Sequence, residues 1–113
     1  MKSKILALSK NEEFKNLLKQ KKIYNKYVTI FFGNLANKDN QKLNISFVTK
    51  KKIGNAVKRN KIKRRLRNIV NEAIKKITVK FNYSYLVIAK STMLNNEYKI
   101  IKETLFQDLK KIK

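Results

Sequence analysis

Cysteine, histidine, tryptophan and proline are all missing from the 113 residues, and glycine occurs twice, as Gly33 and Gly54. Without Cys there is no disulfide framework, no thiolate nucleophile and no thiolate-ligated zinc. Without His the usual general base near neutral pH is gone, along with the commonest metal ligand. Acids are scarce too: Glu12, Glu13, Asp39, Glu72, Glu97, Glu103 and Asp108 are all seven of them. Apart from Glu12 and Glu13, which on a helix point about 100° apart, they are dispersed along the chain. Two-metal phosphoryl transfer needs carboxylates converging on ions about 3.5–4 Å apart. Cleavage of RNA through its 2′-hydroxyl needs groups that titrate near neutrality. The sequence offers neither, so a self-sufficient nuclease is disfavoured and no metal-binding set is expected. Long apolar runs are also lacking. Tyr83 to Ala89 falls far short of the ~20 residues that span a bilayer, and Ile5-Leu6-Ala7-Leu8 is too short for the apolar region of a signal peptide. A cytoplasmic protein is expected, with no membrane partner and no protein partner identifiable.

What the chain does have is positive charge. Lys and Arg number 29 against 7 acids, a net charge of +22, while 42% of residues are apolar. That length and apolar content suit one domain, residues 1–113, with a modest core. A compact domain so charged repels itself and calls for a polyanionic partner. Nucleic acid leads, because neutralising phosphates releases their condensed counterions. Lys is spread along the whole chain, whereas the four arginines, Arg59, Arg64, Arg65 and Arg67, lie within nine positions. Guanidinium makes bidentate phosphate contacts that ammonium cannot.

Periodicity supplies an element order. Ser9 and Glu12 fit a capping box, and Phe14, Leu17 and Leu18 follow at helical spacing, predicting a first helix over about 10–21. Tyr27 to Gly33 is β-branched and aromatic and reads as a strand. Its alternation sets Phe31 and Phe32 on opposite faces, so one of the two must face away from the helices. After a polar turn at 37–41, Leu43 to Val48 alternates as a second strand, expected to form a hairpin with the first. Ile62, Leu66, Ile69, Val70, Ala73, Ile74 and Ile77 make one apolar stripe on a long helix that begins near Asn55 or Ala56. Tyr83 to Ala89 reads as a third strand and about 96–111 as a last helix. The order is α-β-β-α-β-α, an α+β fold with helices packed on one sheet. Its second and third strands are expected to run parallel across a βαβ unit.

The segment from Lys50 to Asn71 holds no carboxylate. At about 100° per residue, Asn60, Arg64, Arg67 and Asn71 fall within about 60° of one another, opposite the apolar stripe. Arg59 projects nearer the stripe. A solvated charged face is the bland alternative for any Lys/Arg run, and the missing acids speak against it.

KKIGNAVKRNKIKRRLR, residues 50–67 less the first lysine, resembles the signature segment of the bacterial ribonuclease P protein subunit family: Lys-Lys-hydrophobic-Gly, then Ala-Val, then Arg-Asn-Arg and further basic residues. Lys-Asn-Glu-Glu-Phe at 10–14, Ser-Phe-Val-Thr-Lys at 46–50 and Tyr-Leu-Val-Ile-Ala-Lys at 85–90 agree in order. The resemblance implies an accessory RNA-binding subunit of an endoribonuclease whose catalytic RNA, with Mg²⁺, hydrolyses the 5′ leader from precursor tRNA. The expected contacts with ribonuclease P RNA are Lys51, Lys52, Arg59, Asn60, Lys61, Arg64, Arg65 and Arg67. The expected cleft for the precursor tRNA 5′ leader is lined by Phe14, Leu18, Phe32, Lys52 and Ala89. The implied fold is a two-layer α/β sandwich, ribosomal-protein-S5-like, with a left-handed βαβ crossover. Lys61 replaces the second Arg of Arg-Asn-Arg, keeping charge and losing the planar fork. Leu18 stands where the family often has an aromatic and Phe32 where it often has Tyr.

Two other readings fit parts of the sequence. A ribosomal or other structural RNA-binding protein matches the composition equally well and lacks only the signature. A membrane-surface module would use a basic amphipathic helix, but the apolar stripe of the long helix is needed to cover the sheet.

Overall fold

The computed structural model describes residues 5–6, 11–33, 43–77 and 83–112, with side chains from residue 15 onward. Its elements run β1 (Ile5–Leu6), α1 (Asn11–Leu18), β2 (Lys21–Tyr24), β3 (Val28–Gly33), β4 (Leu43–Val48), α2 (Ala56–Lys76), β5 (Ser84–Ala89) and α3 (Tyr98–Lys111). Short 3-10 turns at Lys51–Ile53 and Ser91–Leu94 precede α2 and α3. The expected capping residue Ser9 and the turn at 37–41 lie outside the described residues.

The three expected strands and three helices are present, and two elements go beyond them. β1 is described at Ile5 and Leu6. β2 takes Lys21, the last residue of the expected first helix, and Lys22–Tyr24, which the periodicity assigned to no element. That helix closes early, with Lys19 and Gln20 N–H groups donating back to the Asn16 and Leu17 carbonyls at 3.2 and 3.0 Å. The chain then turns and pairs Lys21–Tyr24 antiparallel with Phe32–Thr29.

The sheet order is β1-β4-β5-β3-β2. This corrects the expected hairpin: β3 and β4 are separated by β5, which pairs antiparallel with β3 and parallel with β4. The parallel pairing was expected from the βαβ pattern. β5 is the most continuously apolar strand, and a strand of that kind gains most from the centre, where both faces are covered.

Strand alternation divides the side chains between two faces. Val28, Ile30, Phe32, Leu43, Ile45, Tyr85, Val87 and Ala89 face α2 and α3 and form the main core with Ile62, Leu66, Ile69, Val70, Ala73, Ile101, Leu105 and Leu109. The α2 stripe is therefore buried as its spacing requires. On the other face α1 seats Leu17, fully buried, against Leu86, and Phe31, Val48 and Ile88 are only partly covered. One side of the sheet is sealed by helices; on the other Asn44, Ser46, Ser84 and Leu86 are buried, and Thr29, Phe31, Val48 and Ile88 form the part left partly open.

Candidate nucleic-acid interface

The long helix starts cleanly. Asn55 is extended, and its side-chain oxygen accepts from the Lys58 N–H at 3.0 Å, satisfying one of the orphan donors of the first turn. A Cβ at Gly54 would lie 3.2 Å from Lys58 Cβ and 2.9 Å from its Cδ, so the glycine leaves room for that lysine stem to fold back over the helix start. No acid occupies the first turn of α2. The positive end of the helix dipole is thus left without a protein anion, an arrangement that suits phosphate.

From this start the ridge runs outward from the core. Asn60, Lys61, Arg64 and Arg67 are exposed, as are Lys51 and Lys52 in the preceding turn. Among the described residues no carboxylate pairs with any of them; the two ion pairs are Lys102–Glu72 and Lys111–Asp108. Arg59 is half-buried, with its Nε shielded and lacking a hydrogen-bond partner. Arg65, one of the expected RNA contacts, lies on the flank of α2 toward α3. It is half-buried there and acts on Tyr98, beside the 3.2 Å pair of Lys102 and Glu72. Burial pushes the Tyr98 hydroxyl above its usual range, the Glu72 carboxylate adds to the rise, and Lys102 and Arg65 oppose it. Helical spacing shows why: Arg65 and Glu72 are seven apart on one flank of α2.

The open face of the sheet carries the second surface. In register across the strands run two rows, Ser46–Leu86–Phe31–Lys22 and Val48–Ile88–Thr29–Tyr24. The Lys22 ammonium lies 6.0 Å from the centre of the Phe31 ring. At the end of this face an open pocket of about 620 Å³ is lined by Thr29, Lys50, Lys52, Ile53, Ile88, Ala89, Lys90, Ser91 and Thr92. Its floor is sheet and its rim is lysine. The Lys51–Ile53 turn belongs to both surfaces: Lys52 and Ile53 line the pocket, and three residues later α2 begins.

The expected leader residues divide unequally. Lys52 and Ala89 meet in the pocket, although the Ala89 side chain packs into the helix-covered core. Leu18 ends α1 half exposed, at 50%. The Phe14 side chain lies outside what the structure describes. Phe32 does not reach the open face: it is 6% exposed, in the main core, with its ring 5.7 Å from that of Tyr83. The aromatic on the open face is Phe31. The motif alone does not fix which of the two adjacent rings faces the cleft, and one residue in a strand is a change of face. Lys90 and Tyr24 are not marked as surface groups by the sequence pattern; the strand pairing that brings them together spans more than sixty residues of chain and leaves no local signal.

Among the described residues no three acidic side chains come together. Glu72 is held by Lys102, and Asp108 by Asn25 and Lys111, donors that compete with any cation. Nor is any helix among the described residues long and apolar enough to cross a membrane.

Comparison with known proteins gives the family and the fold. A protein from Carboxydothermus hydrogenoformans described as a ribonuclease P protein component is 35% identical over 98% of this chain and 94% of its own length. The solved structure of the ribonuclease P protein from Thermotoga maritima matches the fold with a TM-score of 0.79, covering 96% of this chain and 98% of that one at 24% identity. The Staphylococcus aureus ribonuclease P protein superposes with a TM-score of 0.76 at 26% identity, over 94% of this chain and 93% of its own. The family model for ribonuclease P matches residues 3–113, and the chain belongs to that family.

Proposed function

We propose that this chain serves as the protein subunit of ribonuclease P by gripping two RNAs on opposite faces of one sheet. Family membership gives the activity, removal of the 5′ leader from precursor tRNA in company with ribonuclease P RNA. It also decides between this reading and that of a ribosomal protein, which composition left level. What the chain's own residues do follows from their placement.

Asn60, Lys61, Arg64 and Arg67, with Lys51 and the half-buried Arg59, neutralise phosphates of the catalytic RNA along the α2 ridge. The open face takes the single-stranded leader. Bases stack on Phe31 and lie over Ile88 and Val48, while Lys22, Lys50, Lys52 and Lys90 hold the backbone. Phe14 and Leu18 on α1 belong to the same cleft. Binding the leader fixes where the scissile bond lies relative to the catalytic RNA, and bringing positive charge between two RNAs lowers the Mg²⁺ needed to assemble them. The chemistry itself rests with that RNA and Mg²⁺ that it holds; the chain contributes position and charge. Its place of work is the cytoplasm.

The single observation that carries this reading is the acid-free ridge of α2 standing back to back with a lysine-rimmed, half-uncovered sheet face. Reconstitution tests it. The chain added to its cognate RNA should accelerate precursor cleavage at low Mg²⁺ and leave the precursor intact when added alone. No acceleration at any Mg²⁺ concentration, or cleavage by the RNA-free protein, would overturn it.

A further inference from the structure

Tyr24 is a large ring that the core does not use. It is 72% exposed, at the end of the edge strand β2, where a solvent-facing tyrosine has no packing role. Its register places it on the open face, directly across from Thr29 and in line with Ile88, both of which line the pocket. Tyr24 and Phe31 are diagonal neighbours on adjacent strands, a separation of about 7–8 Å that long aromatic side chains readily bridge.

The turn that carries Tyr24 is held with unusual thoroughness for a surface turn. The Asn25 side-chain oxygen accepts from the Tyr27 and Val28 N–H groups at 2.7 and 3.0 Å. Its amide donates to the buried Asp108 carboxylate on α3 at 2.5 Å. The Thr92 hydroxyl donates to the Lys26 carbonyl at 2.6 Å, and the Lys90 N–H donates to the Tyr27 carbonyl at 2.8 Å. Lys90 then reaches back: its ammonium donates to the Asn25 carbonyl at 2.6 Å and sits 5.5 Å from the centre of the Tyr24 ring. Lys90 also lines the pocket. An exposed aromatic ring carried next to a turn whose backbone is fixed in advance, with a cation beside it near a basic pocket, is built to receive a flat, polarisable group attached to a phosphate. Rigidity matters because a ring on a backbone already in place loses less freedom when a base stacks on it.

We propose that Tyr24, held by the Asp108–Asn25 contact and paired with Lys90, is a second base-stacking station at the outer end of the open face. A single-stranded leader would lay one base on Phe31, pass its backbone over the pocket rim and lay another on Tyr24. This rests on the open face being the leader surface, and it adds a limit to that surface. Leaders too short to reach Tyr24 gain nothing from it.

The test uses the holoenzyme reconstituted with cognate RNA and measures equilibrium binding of mature tRNA and of precursor tRNAs whose leaders grow one nucleotide at a time. Tyr24→Ala should lose roughly fivefold or more in affinity for long-leader precursors, and nothing for mature tRNA or the shortest leaders. Tyr24→Phe should bind as the unaltered chain does. An abasic nucleotide at one leader position should reproduce the loss in the unaltered chain and add nothing to Tyr24→Ala. Lys52→Ala, run in parallel, reports on the open face itself. If Lys52→Ala weakens the preference for leaders and Tyr24→Ala does not, the station is overturned while the leader surface stands. If neither variant alters that preference, both fall.

Discussion

Phe31 and Phe32 are adjacent, similar in chemistry and opposite in duty. Phe32 is enclosed by the helices, and Phe31 lies half-covered beside Lys22. Phe32→Ala should cost about 3–5 kcal/mol of stability, as expected for a large core truncation. Phe31→Ala should leave the melting temperature nearly unchanged and weaken binding of leader-bearing precursor relative to mature tRNA. Equal thermal losses in the two variants would show that the assignment of faces is wrong. The ridge gives a matching pair. Arg64→Ala and Arg67→Ala should weaken assembly with the catalytic RNA and spare the fold, because both side chains are exposed. Leu66→Ala, in the core, should cost roughly 2–5 kcal/mol and be read by denaturant titration. At this scale the sequence discloses a residue's kind more readily than its facing. The ridge could be placed because helical spacing is regular over α2's 21 residues. The leader aromatic could not, because strand facing turns on a single position.

Elements were legible to the degree that they are held by their own periodicity. α2, β4 and β5 are each close to where spacing put them, since an apolar stripe or a β-branched run leaves few alternatives. β2 was not foreseen because its reason for being a strand is the edge of β3, a partner that lies outside its own residues. β5 between β3 and β4 was hidden for the same reason: pairing order is decided by which strand most needs covering. The seam between α2 and α3 carries a test of its own. The Tyr98 hydroxyl titrates above its usual range in the fold, so the folded chain holds that proton more tightly than the unfolded chain does. Its contribution to stability is complete below the unfolded value of about 10 and drains away as pH rises through the higher folded value. Unfolding measured between neutral and strongly alkaline pH should therefore show a smaller alkaline loss in Tyr98→Phe than in the unaltered chain. Parallel losses would mean that the hydroxyl is not buried against Glu72 as described.

For the molecule as a whole, charge is the governing quantity. A net +22 on a single sheet with its helices makes association with RNA steeply dependent on salt. For a single-stranded partner the log–log slope should be about −0.7 per phosphate contacted. Affinity for an oligonucleotide that stays constant from low to physiological salt would remove the electrostatic half of the mechanism. The same charge appears where it shapes the outline of the sheet. One rim strand of the sheet, β2, presents exposed Lys21 and Lys22. Exposed backbone at the border of a sheet is where copies of a protein zip together into aggregates, and short or lysine-bearing borders discourage it. A newly made chain waiting for its RNA is in this way kept from polymerising with its siblings, so Lys21 and Lys22 guard solubility quite apart from anything they do for a transcript.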